Sequence, residues 1–137
     1  ASTPLAPAIE KVVAALKRLP KGEELDWETH VPAATELQIE AGDLTELLGN
    51  LLENACKWGN ERVRIIYRDN HLIIEDDGPG VDDADLPTIA QRGKRLDESR
   101  QGSGLGLSIV ADIADIYGLD VHYSRSELGG LKISIKV

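Results

Sequence analysis

The 137-residue chain has no phenylalanine, no methionine, one cysteine and few aromatic residues of any kind (4%). A single thiol, Cys56, cannot build an internal disulfide framework. With only three scattered histidines there is no zinc-ligand spacing either. A reducing, cytosolic setting follows from that cysteine usage. No stretch reaches the roughly 18 consecutive apolar residues of a membrane span, and no signal peptide opens the chain. The missing methionine points to a piece of a longer protein. Positive charge is also scarce: 15 Lys and Arg face 24 Asp and Glu, for a net charge of -9. An acidic protein is repelled by nucleic acid and by anionic membranes, so neither is an expected partner. Any anion must be met by a local basic patch.

Hydrophobic residues make up 42% of the chain, and its length suits one continuous domain, 1–137. In "LAPAIEKVVAALKRL" (5–19), Ile9, Val12, Val13 and Leu16 recur at helical spacing until "PKG" stops them. "ELDWETHV" and "ELQIE" read as two short strands separated by Pro32. Asp43 with Glu46 forms a capping-box signature before Leu44, Leu47, Leu48, Leu51, Leu52 and Ala55. "RVRIIYR" and "HLIIE" flank "DN" as a β-hairpin. Residues 78–103 read as a long loop with one helical turn. From Leu105 the positions Ile109, Val110, Ile113, Ile116 and Tyr117 repeat as a helix that Gly118 can end, and "VHYSR" and "LKISIKV" form a last hairpin. The expected fold is α+β: a two-layer sandwich with three helices on one face of a mixed, mostly antiparallel sheet.

Four stretches carry possible chemistry, and each has a bland alternative. On the second long helix, Asn50, Asn54 and Lys57 share one edge beside the leucine stripe. Two carboxamides a turn apart can offer oxygens to Mg²⁺ and the lysine can meet a phosphate, or the edge is simply solvated. "EDDGPG" (75–80) closes an apolar strand; it is a tight turn, or a place where Asp76 accepts from an exocyclic amine while glycines admit a flat ring. "QRGKRLDESR" carries Arg92, Lys94, Arg95 and Arg100 against Asp97 and Glu98, a local positive reversal that suits a polyphosphate or a solvated loop. "QGSGLGL" puts Gly102, Gly104 and Gly106 around Ser103 and Leu105 just where a helix begins, as a hinge or an amide cradle for an anion. A Walker A loop fails at Thr88 and Arg95, and a dinucleotide fingerprint fails at Leu107.

Taken in order, "NLLENACKW", "EDDGPG", "RGKR" and "GSGLGL" resemble the N, G1, F and G2 boxes of the ATP-binding domain of bacterial sensor histidine kinases. That group, called GHKL, also holds gyrase B, Hsp90 and MutL, and the likeness is strongest to PhoQ-type kinases. The resemblance implies the Bergerat fold with a mobile ATP lid and ATP with Mg²⁺ as ligands. It implies Asn54 as principal metal ligand with Asn50 beside metal and phosphates. Lys57 then meets phosphate and Trp58 stacks on adenine. Asp76 binds the adenine amino group, with Gly78 and Gly80 shaping the pocket. Arg95 and Arg100 lie on the lid, which closes through Gly102, Ser103, Gly104, Leu105 and Gly106. In this reading Asn50, Lys57 and Arg95 carry the catalysis.

Three departures stand out. The F box lacks its phenylalanine and reads "TIAQRG"; Trp58 stands where tyrosine is commoner; and His30, His71 and His122 all lack the phosphoacceptor pattern. The resemblance therefore implies a catalytic domain that phosphorylates a histidine on a separate dimerisation domain, with a response regulator as indirect partner. The fragment itself is expected to be monomeric and to touch no membrane, on the cytoplasmic side of an inner-membrane sensor. The rivals are a GHKL ATPase or anti-sigma-type serine kinase, and a nucleotide-responsive binding module. The family's ATPases carry a glutamate four residues before the metal-binding asparagine, where this chain has Asn50; Glu53 is the other candidate base.

Overall fold

The computed structural model describes residues 1–87 and the backbone of 104–137, with side chains from Gly106 onward. Its elements in chain order are β1 (Thr3–Pro4), α1 (Leu5–Leu16), α2 (Pro20–Glu24), β2 (Asp26–His30), β3 (Glu36–Leu37), α3 (Ala41–Trp58), β4 (Arg62–Arg68) and β5 (His71–Asp76). A 3-10 turn (Asp83–Asp85), α4 (Gly104–Tyr117), β6 (Asp120–Arg125) and β7 (Leu131–Lys136) complete them. Five strands form one sheet in the order β2-β4-β5-β7-β6. Only the β2–β4 pair is parallel; the other three are antiparallel, as expected for a mostly antiparallel sheet.

Strand alternation decides which face is covered. Val63 and Ile65 of β4, Leu72 and Ile74 of β5, Tyr123 of β6, and Ile133 and Ile135 of β7 are buried on one face. Leu44, Leu47, Leu48, Leu51 and Leu52 of α3 are wholly buried, and α3 packs on β5 while α1 and α4 each pack on α3. The opposite face carries a cross-strand row of Glu28, Arg64, Glu75 and Lys132, set by the register of β2, β4, β5 and β7. The result is the two-layer arrangement of helices over one sheet face.

Both hairpins form where expected. Asp69 and Asn70 take φ of 52° and 61°, the left-handed pair that a two-residue turn needs to match strand twist, and both residue types tolerate it. Gly118, with φ of 68°, ends α4. Several boundaries differ from the sequence reading. α1 stops at Leu16, and Pro20 opens the short α2 instead of only ending α1, since its fixed φ suits a first helical turn. α3 begins at Ala41, not after Asp43. Glu40 is the cap, its carboxylate accepting from the Asp43 amide at 3.2 Å. The Asp43 carboxylate instead accepts from the Tyr117 hydroxyl, which itself accepts from the Glu40 amide and so ties the end of α4 to the start of α3. "ELQIE" shrinks to β3, which pairs with β1 as a separate two-stranded sheet. Ile116, counted in the apolar stripe of α4, faces solvent.

Candidate nucleotide-binding site

The leucine stripe holds α3 against the sheet, and this turns Asn50 toward the start of α4. Asn50 donates from Nδ2 to the Glu46 carbonyl one turn back, at 2.8 Å. Its Oδ1 then faces α4: a Cβ added at Gly106 would lie 3.4 Å from that oxygen. Asn54, one turn on, is only 8% exposed although polar. Lys57 is exposed, and its ammonium sits 5.9 Å from the centroid of the Trp58 ring, a cation–π contact. The Lys57 carbonyl accepts from Lys21 Nζ at 3.1 Å.

β5 delivers the acidic pair to opposite faces. Asp76 follows Ile74 on the helix side and is 3% exposed, whereas Glu75 points to the other face. Asp76 Oδ1 accepts from the Gly78 amide at 2.9 Å and lies 3.4 Å from the Leu131 amide. Its backbone carbonyl accepts from Gly130 at 3.1 Å. Two close approaches frame it. A Cβ at Gly78 would lie 2.1 Å from the Trp58 carbonyl oxygen, and one at Gly130 would lie 2.1 Å from Asp76 Oδ1. Gly80, at φ of 70°, abuts the Gly129 carbonyl. The carboxylate thus sits between the C-terminus of α3 and the β6–β7 turn.

Asp77 has a different task. Its Oδ1 accepts from the amides of Asn60, Glu61 and Arg62 at 2.8–3.0 Å. Partial burial disfavours its charge, but the three amides outweigh that and hold the carboxyl below the usual carboxylate range. It fastens the β5 end to the α3–β4 connection.

Of the residues singled out from the sequence, Asn50, Asn54, Lys57 and Trp58 lie on α3, and Asp76, Gly78 and Gly80 lie at the end of β5 and in the turn after it. Gly104, Leu105 and Gly106 form the first turn of α4. The structure brings Gly106 to Asn50, Gly78 to Trp58, and Gly78 to Asp76. Arg92, Lys94, Arg95, Arg100, Gly102 and Ser103 lie outside the described residues. The sequence reading missed Gly129, Gly130 and the Leu131 amide, which back Asp76 and Gly80. The "GG" of "SELGG" was the available signal, but on its own it reads as a hairpin turn.

Asp76 is thus a deeply buried carboxylate beside backbone amides, and Asn50 presents a carboxamide oxygen toward the start of α4. Residues 39–137 match the family described as histidine kinase-, DNA gyrase B-, and HSP90-like ATPase. The chain belongs to this family. Among curated relatives, the sensor protein kinase CarS of Pseudomonas aeruginosa is 40% identical over 124 residues, 88% of this chain and 28% of that protein. The virulence sensor histidine kinase PhoQ of Salmonella typhimurium is 31% identical over 136 residues, 96% of this chain and 28% of that protein. The chain therefore spans under a third of the length of these relatives.

Among solved structures, the mycobacterial sensor histidine kinase MprB superposes with a TM-score of 0.81 at 24% identity, covering 98% of this chain and 95% of that one. The catalytic domain of histidine kinase ThkA does so with a TM-score of 0.78 at 18% identity, covering 98% and 92%. At such identities these likenesses establish the shared fold. Family and fold together make this an ATP-binding domain of the histidine-kinase type, homologous to sensor kinases over nearly all its length.

Proposed function

We propose that residues 1–137 form the single catalytic domain of a sensor histidine kinase, holding Mg·ATP so that the γ-phosphoryl group passes to a histidine on a separate dimerisation domain. The observation that carries this reading is the buried Asp76, set at the sheet end between α3 and the β6–β7 turn and backed by the Gly78, Gly130 and Leu131 backbone. An acceptor so fixed suits an adenine amino group, and desolvation strengthens its selectivity.

The Asn edge fits a hard cation. Asn50 spends its Nδ2 on Glu46 and turns Oδ1 toward α4, and Asn54 lies one turn on. Among the described residues no group of three His, Cys, Asp or Glu gathers to hold a metal, so Mg²⁺ would take carboxamide, phosphate and water oxygens. When bound, Mg²⁺ supplies charge neutralisation on the phosphates. Asn50 and Asn54 orient the triphosphate along α3, Lys57 and Arg95 offset its charge, and Trp58 stacks on the base. Gly78 and Gly80 keep the pocket floor flat. Arg100 and the run Gly102, Ser103, Gly104, Leu105 and Gly106 close over the phosphates. The attacking histidine nitrogen bonds to the γ-phosphorus as the bridge to the β-phosphate breaks and ADP leaves. No side chain of this domain acts as nucleophile.

Glu53, the rival base for hydrolysis, is exposed and lines a groove between α1 and α3 with Lys11, Ala15 and Leu16. Asn50 lines the same groove, and it stands where the family's ATPases carry their glutamate, which favours transfer over ATP hydrolysis. No helix among the described residues is long and apolar enough to cross a membrane. We place the domain on the cytoplasmic side of an inner-membrane sensor, monomeric when alone, with a response regulator receiving the phosphoryl group next. The test is to incubate the chain with γ-labelled ATP, Mg²⁺ and a separately purified dimerisation domain of a homologous sensor kinase. Acid-labile, base-stable label on that domain is expected. Bound ATP with no label transferred, or rapid phosphate release without a partner, would contradict the kinase reading.

A further inference from the structure

Glu75 presents a physical problem. Its carboxylate points away from the candidate site yet is 4% exposed, and burying a carboxylate is costly unless it is paired and hydrogen-bonded. Its partners are Ser126, whose buried hydroxyl donates to Glu75 Oε2 at 2.7 Å, and Arg64, whose Nη1 lies 3.6 Å from Oε1. Arg64 is shared with Glu127 at 3.0 Å and Glu28 at 3.9 Å.

Ser126 also organises the β6–β7 turn. Its Oγ accepts from the Leu128 amide at 3.0 Å, its own amide donates to the Gly130 carbonyl at 2.8 Å, and its carbonyl accepts from Gly129 at 2.9 Å. The far end of this turn reaches the site. Gly130 donates to the Asp76 carbonyl at 3.1 Å, the Leu131 amide lies 3.4 Å from Asp76 Oδ1, and the Gly129 carbonyl abuts Gly80. One turn is thus fastened on both faces of the sheet to adjacent residues of β5: through Ser126 to Glu75, and through Gly130 and Leu131 to Asp76.

We propose that Glu75 and Ser126 are positioning residues that set the base selectivity of the site by holding the Ser126–Gly130 turn against Asp76. The inference rests on the nucleotide reading of Asp76 given above. Removing the Ser126 hydroxyl takes away the turn's tie to Glu75 and to the Leu128 amide, which loosens the aim of the Asp76 carboxylate. The loss falls on the contact with the purine amino group and spares contacts to sugar and phosphate.

The test measures dissociation constants of the full chain, by calorimetry with Mg²⁺, for ATP and for purine riboside triphosphate, which lacks the 6-amino group. The parent, Asp76→Asn, Ser126→Ala and Ser126→Thr are compared, and melting temperatures confirm that each is folded. One charge-assisted hydrogen bond predicts that the parent prefers ATP by about tenfold or more. Ser126→Ala should lose most of that preference, weakening ATP but leaving the analogue within about twofold, and Ser126→Thr should restore it. Equal weakening of both nucleotides, or an unchanged preference in Ser126→Ala, would overturn the inference. If Asp76→Asn abolishes the preference while Ser126→Ala keeps it, only the positioning role falls. A parent that binds both without preference overturns this role and the reading of Asp76 as the amino-group acceptor, and a parent that binds neither overturns the nucleotide site itself.

Discussion

Two adjacent carboxylates of this chain, Asp76 and Asp77, differ in nearly every physical respect. Asp76 is buried on the helix side of β5, whereas Asp77 turns back to cap three amides of the α3–β4 connection. Asp77→Asn removes a charge from that cluster and should cost about 1–2 kcal/mol at neutral pH, measured by urea unfolding. The folded carboxyl is held below its usual range, so its stabilisation is complete above the unfolded value near 4 and disappears as pH falls through the lower folded value. The gap between parent and variant should therefore be present at pH 7 and close as the pH drops well below 4. A gap that persists unchanged in acid would contradict the role given to the Asp77 charge. The separation of the two aspartates was legible in part: period-two alternation from Ile74 places Asp76 on the core side. Nothing in the residue types marked Asp77 as a brace, because its partners are backbone amides some 15 residues away.

At the scale of elements, glycines of the motifs are not equivalent. A methyl group at Gly78 would collide with the backbone of Trp58, which cannot yield without moving the end of α3. Gly78→Ala should lower stability by about 2–3 kcal/mol or more. At Gly106 the nearest atom would be Asn50 Oδ1 at 3.4 Å, and alanine favours a helix, so Gly106→Ala should change stability by at most about 1 kcal/mol in either direction. Thermal unfolding of both variants decides the matter, and similar losses would contradict this account of the two close approaches. Long periodic segments such as α3 and the two hairpins could be read from sequence because their patterns repeat over many residues. β1 and β3 could not, since two-residue strands have no period and pair across more than 30 residues. The Glu40 cap was hidden because an acidic residue ending an apparent strand has no local mark of a helix start.

For the molecule as a whole, the fold sets one face of a mixed sheet beneath three helices and leaves Asp76 at the edge of that layer, beside the C-terminal end of α3. Four ordered stretches made the family legible although each alone also admitted a structural explanation. The chain carries -9 net charge, so on the proposed function an anionic nucleotide must be held by local amides and cations against an unfavourable overall field. Binding should accordingly depend on Mg²⁺ and on the geometry at Asp76. The most direct measurement is a calorimetric titration of the parent and Asp76→Asn with ATP, with and without Mg²⁺. Asn preserves shape and one acceptor but places an amide donor where the carboxylate offered a second acceptor. The account predicts Mg²⁺-dependent binding by the parent and a loss of about tenfold or more in Asp76→Asn, with little change in melting temperature. Equal affinity in the two proteins, or no Mg²⁺-dependent binding by the parent, would contradict it.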